Sequence, residues 1–171
     1  DEKECGTAIS TDRAGNVIGG GDFAEDRIIP DCVRAALEKS PIVIRNPYSI
    51  RPYQHVLEPV IAYLMIAMRQ YQDKSVEGAY NVGPQEDNCI TTGEMADLFC
   101  GQWERLSNKS VKWREQGDGG PHEARLLKLD CAKIKDIFGW KPVWNLEETL
   151  DEVVEWYYRF YDKEDMRKCT D

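Results

Sequence analysis

The stretch that decides the fold is RAGNVIGGGDFAEDRIIP at residues 13–30, followed by IRPYQHVLEP at residues 50–59. Residues 6–17 mix β-branched and small side chains and lead into the glycine cluster Gly19, Gly20 and Gly21, which predicts a strand running into a loop. Apolar residues then recur at helical spacing over residues 28–37, entered through Pro30 in the first turn. A strand, a glycine-rich turn and a helix in this order indicate an α/β fold.

The rest of the chain continues this alternation. Helices are predicted from residue 57 through 68, over 92–106 with Thr92 as the cap, from Asp130 to Gly139, and from a capping box of Asn145 and Glu148 to about residue 161. Short strands are predicted at 41–45, 49–54, 79–82, 111–113 and 124–129. The sequence contains neither an internal repeat nor a low-complexity linker, so we expect one α/β unit.

Composition limits the possible functions. At 171 residues the chain is long enough for one domain or for a compact half of a larger one. Its net charge of −9 argues against a nucleic-acid partner, and no apolar run is long enough to cross a membrane. Six cysteines without a C-x-x-C pair or a secretory signal are interpreted as reduced thiols of a cytoplasmic protein. The start, DEKE without Met, fits a fragment better than a natural N-terminus.

A catalytic centre is not evident in the sequence. The glycine run at 19–21 follows a strand, but Asp22 would place a carboxylate beside any phosphate, so a tight turn is the preferred interpretation over a dinucleotide site. None of the eight tyrosines has a lysine four positions later, and no G-x-S-x-G motif is present. With only His55 and His122, a catalytic metal is not expected.

Binding of a small anion is better supported. Arg51 lies on a predicted strand, where its guanidinium could make a bidentate contact with a diphosphate, although a solvated surface arginine is the simpler alternative. Asn16 lies where a strand meets a loop, either to contact a ligand or to satisfy its own turn. Arg27 is similarly ambiguous. The loop at residues 119–125 could close on a ligand, but charged surface turns are common.

Five motifs carry a family resemblance: residues 13–34, residues 50–59, YNVGP at 80–84, DGGPHEA at 118–124 with its continuation KLDC at 128–131, and GWKP at 139–142. Together they resemble the extended short-chain dehydrogenase/reductases that modify nucleotide sugars, most closely the CDP-glucose 4,6-dehydratases. The resemblance covers about residues 6–161. The dTDP-glucose dehydratases and UDP-glucose epimerases share the architecture but lack the residues GGGD at 19–22 and HE at 122–123.

The resemblance implies that residues 1–171 are the C-terminal, nucleotide-sugar-binding portion of such a fold. The N-terminal dinucleotide-binding Rossmann half would be absent from this chain. In the family a hydride leaves C4 of the sugar for NAD, water is eliminated across C5 and C6, and the hydride returns to C6. The Tyr/Lys pair and the acid–base carboxylates for this chemistry would lie upstream. The implied parent is an NAD-dependent cytoplasmic hydro-lyase of deoxysugar biosynthesis that forms a homo-oligomer, and this portion would be inactive alone and prone to associate.

The resemblance also implies the substrate contacts. Asn16 and Arg51 would hold the diphosphate of CDP-glucose, and Arg27, Ile28 and Ile29 would lie near the cytosine and ribose. The other side would be closed by four residues: Asn81, His122, Glu123 and Arg125. No catalytic residue and no metal ligand is assigned within the chain. The alternatives left open are a dehydratase or epimerase of a dTDP-, UDP- or GDP-linked sugar, and a non-catalytic protein that binds sugar nucleotides.

Overall fold

The computed structural model describes residues 6–117 and 125–170, and among these it has seven strands, six α-helices and two short 3-10 helices, Lys74–Val76 and Glu86–Asn88. The strands are β1 (Ser10–Ala14), β2 (Asn16–Ile18), β3 (Ile42–Ile44), β4 (Ile50–His55), β5 (Gly78–Val82), β6 (Cys89–Thr91) and β7 (Trp113–Glu115). The helices are α1 (Ile28–Glu38), α2 (Leu57–Gln72), α3 (Thr92–Ser107), α4 (Ala132–Phe138), α5 (Leu146–Tyr161) and α6 (Met166–Thr170). The α/β expectation is therefore confirmed.

The strands form three small sheets. β1 pairs in parallel with β5, and β3 pairs in parallel with β7. β4 lies in the middle of the third sheet, parallel to β2 and antiparallel to β6. The chain passes from the first sheet to the third at Gly15, where a Cβ atom would lie 2.7 Å from the carbonyl oxygen of Pro52. Only glycine allows this close approach of two backbones, and the predicted strand at 6–17 is accordingly divided into β1 and β2.

The larger core lies among α1, α3, α5 and the β2–β4–β6 sheet. Phe99 of α3, Val33 of α1 and Tyr157 of α5 are buried there. The predicted capping box of Asn145 and Glu148 begins α5. α3 begins with an equivalent box one residue earlier than predicted, because Thr91 rather than Thr92 accepts the hydrogen bond from the backbone N–H of Glu94.

The smaller core lies between α2, β5 and α4. Ala62 and Ile66 of α2 pack there with Tyr80, Val82 and Ile134. Most of the apolar positions that define α2 in the sequence point the other way, whereas Met65 packs against the smaller core. We call Leu57, Val60, Ile61, Leu64 and Met68 the α2 apolar stripe; all five are exposed, Leu64 to 65% and Met68 to 64%. The described residues leave this stripe uncovered.

Three expectations about individual elements were wrong or incomplete. The strand predicted at 124–129 is only an isolated bridge between Leu126 and Ile50 within the described residues. β7 begins at Trp113, where the predicted strand was expected to end. β6 was not predicted, because its three residues carry too short an apolar pattern and owe their strand conformation to pairing with β4.

Candidate functional site

A cavity of about 570 Å³ lies where the carboxyl ends of β2 and β3 meet the start of α1 and the side of β4. A cavity of this size is large enough for a small ligand. Its wall contains the arginines Arg27, Arg45 and Arg51 and the aspartates Asp22, Asp26 and Asp31. The three carboxylates balance the three guanidinium groups in formal charge, and the guanidinium groups provide donors that suit an anionic group of a ligand.

β4 places Arg51 inside the cavity. Side chains on a strand alternate between its two faces, so Arg51 and Tyr53 line the cavity while Gln54 points to the opposite side, where its Nε2 donates to the carbonyl oxygen of Val82 at 3.0 Å. Arg51 is only 8% exposed, and its Nη1 donates to the carbonyl oxygen of Ile50 at 3.0 Å. The alternative of a solvated surface arginine is therefore wrong.

Asn16 reaches the same cavity through strand pairing. In the parallel β2–β4 register Asn16 is opposite Tyr53, and both residues line the cavity. Gly15, which immediately precedes Asn16, also lines it. Strand pairing therefore brings an amide and a buried guanidinium to one cavity wall, although the two residues are 35 positions apart in the chain.

The start of α1 forms a second wall. Arg27 is the N-cap residue of α1 and makes no side-chain capping hydrogen bond. Ile28 and Ile29 follow it along the wall; Ile28 is half-buried, whereas Ile29 is buried in the larger core. Arg34 of α1 donates to the carbonyl oxygens of Phe23 and Ala24 in the loop before α1. These contacts hold in place the loop that leads into the Arg27 wall.

A hydroxyl cluster at the base of the cavity was missed by sequence reasoning. Ser49 Oγ and Thr92 Oγ1 lie 2.9 Å apart, and the hydroxyl of Tyr53 lies 3.5 Å from Thr92 Oγ1. All three residues line the cavity. A serine, a threonine and a tyrosine spread over residues 49–92 carry no motif, so only the fold reveals that they are neighbours.

An ion pair spans the cavity rim and was also missed. Arg45, just after β3, lies 3.1 Å through Nη2 from Asp26 Oδ1 in the loop before α1. Both side chains are largely exposed, 54% for Arg45 and 77% for Asp26. Neither residue stood out in the sequence, because single charged residues in loops are common.

Two of the predicted binding residues, Asn81 and Arg125, do not line this cavity. Asn81 lies on β5, and its Nδ2 donates to the carbonyl oxygen of Asp130 at 2.9 Å, a contact that ties β5 to the segment before α4. Arg125 is exposed and does not line the cavity, although its carbonyl oxygen accepts from the N–H of Ile50 at 2.8 Å, next to Arg51. His122 and Glu123 lie outside the described residues.

The glycine run at 19–21 packs against α5 and does not serve as a phosphate-binding loop. A Cβ atom on Gly20 would lie 2.3 Å from the indole ring of Trp156, and Gly21 has φ +81°. The carbonyl oxygen of the following Asp22 accepts a hydrogen bond from the hydroxyl of Tyr157. The turn is therefore pressed against α5, as the tight-turn interpretation expects.

Reactive groups are few among the described residues. No cluster of three or more metal-ligating side chains occurs over residues 6–117 and 125–170, and no helix there is long and apolar enough to cross a membrane. The described cysteines, Cys32, Cys89, Cys100, Cys131 and Cys169, are all free thiols. Burial raises the pKa of Cys32 well above its ordinary value and that of Cys100 to about 11. Thiols held protonated in this way are poor nucleophiles.

Comparison with solved structures defines the class of fold. UDP-glucuronic acid 4-epimerase from Bacillus cereus, solved with UDP-glucuronic acid and NAD, superimposes with a TM-score of 0.73 over 93% of this chain and 48% of its own, at 16% identity. dTDP-glucose 4,6-dehydratase from Bacillus anthracis, solved with NAD, gives 0.64 over 88% of this chain and 45% of its own, at 22% identity. The chain therefore has an extended short-chain dehydrogenase/reductase fold, and the partial coverage fits a C-terminal part.

The sequence comparison is more specific. The chain is 43% identical over 98% of its length to CDP-glucose 4,6-dehydratase of Salmonella typhimurium, of which it covers 46%. It is 27% identical over 77% of its length to dTDP-glucose 4,6-dehydratase of the same organism, of which it covers 36%. These matches confirm the predicted resemblance to CDP-glucose 4,6-dehydratase. The chain spans less than half the length of these curated relatives, and no protein-family model matches it.

Proposed function

We propose that this chain is the nucleotide-sugar-binding, C-terminal portion of a CDP-glucose 4,6-dehydratase and binds CDP-glucose in the cavity at β4. The observation that carries the proposal is the buried guanidinium of Arg51 in the wall of an open cavity. A guanidinium carries five N–H donors in a planar fork, and a diphosphate is the ligand chemistry that this fork matches best. The 43% identity to the Salmonella typhimurium enzyme supports the CDP-sugar branch.

Within this proposal the cavity residues bind and orient. Arg51 and Asn16 would hold the diphosphate, since both lie on neighbouring strands of one wall. Arg27 and Ile28 would contact the ribose and base at the start of α1, with Ile29 supporting them from the core. The hydroxyls of Ser49, Tyr53 and Thr92 offer further hydrogen-bond partners for the sugar or the phosphates.

The redox chemistry would come from NAD held by other residues. The described part of the chain offers no turn for a pyrophosphate, because the glycine run at 19–21 packs against Trp156. NAD, when bound in the complete protein, would take up and return a hydride. The contribution of this portion would be to hold the sugar beside it and to select the nucleotide, so the portion alone would be inactive.

The surface of the chain supports the proposal that the complete protein has a second half. The α2 apolar stripe is exposed on one side of the smaller core, and β1 pairs only with β5 among the described residues. An apolar helix face beside an open sheet edge is a surface that usually lies against another element. In the proposal a dinucleotide-binding half covers both, in keeping with a relative more than twice as long as the matched region.

Substrate turnover tests the proposal. The complete protein that carries this chain would be incubated with NAD and, separately, with CDP-glucose, dTDP-glucose, UDP-glucose and GDP-mannose. Loss of water to form a 4-keto-6-deoxy sugar would be followed by mass spectrometry and NMR. Turnover of CDP-glucose in preference to the others is expected. Dehydration of another nucleotide sugar would overturn the substrate, and epimerisation without loss of water would overturn the reaction.

A further inference from the structure

The cavity rim presents hydrogen-bond donors and acceptors side by side. The Asp26 carboxylate supplies acceptors only, and the Arg45 guanidinium supplies donors only; the two groups lie 3.1 Å apart. Each belongs to a different loop, one before α1 and one after β3, so the pair bridges two walls of the cavity. As an exposed ion pair it contributes little to stability.

In the proposed binding mode the base lies against the α1 and β3 walls, and this pair belongs to those walls, since Asp26 precedes α1 and Arg45 follows β3. Arg51 and Asn16, proposed to hold the diphosphate, lie on the β2–β4 wall. The α1 and β3 walls carry the apolar side chains of Ile28 and Val43, both of which line the cavity, and Val43 is exposed on β3. Apolar side chains of this kind can lie against the flat face of a pyrimidine, whose polar edge would then point to the rim.

The edge of cytosine complements this pair, and the edge of uracil does not. Cytosine presents an amino donor at N4 followed by acceptors at N3 and O2. A carboxylate accepts readily from N4, and two parallel N–H groups of a guanidinium can donate to N3 and O2. Uracil and thymine present an acceptor at position 4 and a donor at N3, which would face a carboxylate and a guanidinium respectively. Such mismatches leave polar groups unpaired and reject the wrong ligand.

We propose that Asp26 and Arg45 together read the base of the nucleotide and select cytosine over uracil and thymine. This inference rests on the proposed function and adds to it two residues that determine specificity. Asp26 accepts from the N4 amino group, and Arg45 donates to N3 and O2. The ion pair seen between them orients both groups before the nucleotide arrives, so little ordering remains to be done on binding.

The test measures base preference as a ratio, which separates it from overall affinity. Dissociation constants for CDP, UDP and dTDP would be measured by calorimetry with the complete protein. Asp26→Asn replaces an obligate acceptor with an amide that can also donate, and Arg45→Lys keeps the charge but loses the two parallel donors. Each change is expected to lower the preference for CDP over UDP by about 10- to 100-fold. Asp151→Asn is the matched control, since Asp151 also forms an ion pair with a partly exposed arginine, Arg105, but does not line the cavity.

The outcomes distinguish this inference from the function on which it rests. Wild-type preference for CDP that Asp26→Asn and Arg45→Lys both reduce, while Asp151→Asn does not, supports the pair. Wild-type preference for CDP that survives both changes overturns the pair and leaves the proposed function intact. If Arg45→Lys weakens CDP and UDP equally, Arg45 binds phosphate and its role in reading the base is overturned. A wild-type protein that prefers UDP or dTDP overturns both proposals. Unfolding curves for every variant confirm that each is folded.

Discussion

Glu58, in the first turn of α2, accepts a hydrogen bond at Oε1 from the backbone N–H of Trp144 at 2.9 Å, across 86 positions of the chain. The same oxygen accepts from the N–H of Val143 at 2.8 Å. Glu58 is only 6% exposed, so its charge is balanced by oriented N–H groups rather than by water. This contact fixes the segment before α5 against α2 and thereby links the two cores.

Replacing Glu58 should therefore destabilise the protein. Glu58→Ala leaves two N–H groups without their acceptor, and loss of a charge-assisted hydrogen bond costs about 1.5–3 kcal/mol. Glu58→Gln keeps one carbonyl oxygen as acceptor and should cost less. Urea unfolding measures both, with Glu152→Gln on the exposed side of α5 as the control. Equal free energies of unfolding for wild type and Glu58→Ala would show that the contact does not stabilise the fold.

Arg51→Ala should raise the Michaelis constant for the nucleotide sugar strongly in the complete protein. Removing an arginine that makes charge-assisted hydrogen bonds to a diphosphate costs about 2 kcal/mol or more of binding free energy, or roughly 30-fold. Arg51→Lys should recover only part of the loss, because lysine cannot make the bidentate contact. Arg105→Ala, which removes an exposed ion pair between Arg105 on α3 and Asp151 on α5, is the control. An unchanged Michaelis constant in Arg51→Ala would remove Arg51 from the site.

Gly20 and Gly101 should respond in opposite ways to alanine. A Cβ atom on Gly20 would lie 2.3 Å from the Trp156 ring, so Gly20→Ala forces α5 or the turn to move and should cost about 1–3 kcal/mol. A Cβ atom on Gly101 in α3 meets nothing within 4 Å, so Gly101→Ala should stabilise by about 0.5–1 kcal/mol through helix propensity. Thermal and urea unfolding of the two variants compare them directly, and tolerance of alanine at position 20 would contradict the tight packing.

His55 should make stability depend on pH. Burial lowers its pKa below the ordinary value of 6.5, and its Nδ1 accepts from the N–H of Leu57 at 3.3 Å, which requires the neutral ring. Below pH 6.5 the unfolded chain binds a proton that the folded chain resists, so this contribution is complete above pH 6.5 and is lost as pH falls toward the lowered pKa. Carboxylates also titrate close to this pH range. The measurement is therefore the difference in the free energy of unfolding between wild type and His55→Gln, obtained by urea unfolding from pH 7.5 to 5. A constant difference would contradict the prediction.

The α2 apolar stripe should make the 171-residue chain self-associate. Leu64→Lys and Met68→Lys place charges on the exposed stripe and should shift the chain toward monomer in sedimentation equilibrium. Val143→Lys is the control, since Val143 is also exposed but lies outside the stripe. Association that is unaffected by Leu64→Lys and Met68→Lys would place the contact elsewhere. In the complete protein, where the proposed second half covers the stripe, the same changes should lower stability instead.

Local sequence was sufficient for most helices. The period of apolar residues predicts α1 and the beginning of α2, and the Asn145–Glu148 box predicts where α5 begins. These signals are local: helical hydrogen bonds join residues four apart, and caps act within one turn. The sequence motifs at 13–34 and 50–59 were likewise enough to predict the resemblance that the comparison with the Salmonella typhimurium enzyme confirms. Arg51 could be proposed as a binding residue from sequence because it lies on a predicted strand, between Ile50 and Pro52-Tyr53.

Tertiary structure decided what no local pattern contains. Parallel pairing of β2 with β4 brings Asn16 and Arg51 to one wall and buries a guanidinium that the sequence would as readily leave in solvent. The approach of two loops creates the Asp26–Arg45 pair, and Asn81 contacts Asp130 instead of the cavity. The apolar spacing of the α2 stripe predicts a face that packs against another element, yet the stripe is exposed. The spacing does not identify the element that covers such a face. Contacts between residues far apart in the chain depend on the whole fold, and the site is made of such contacts.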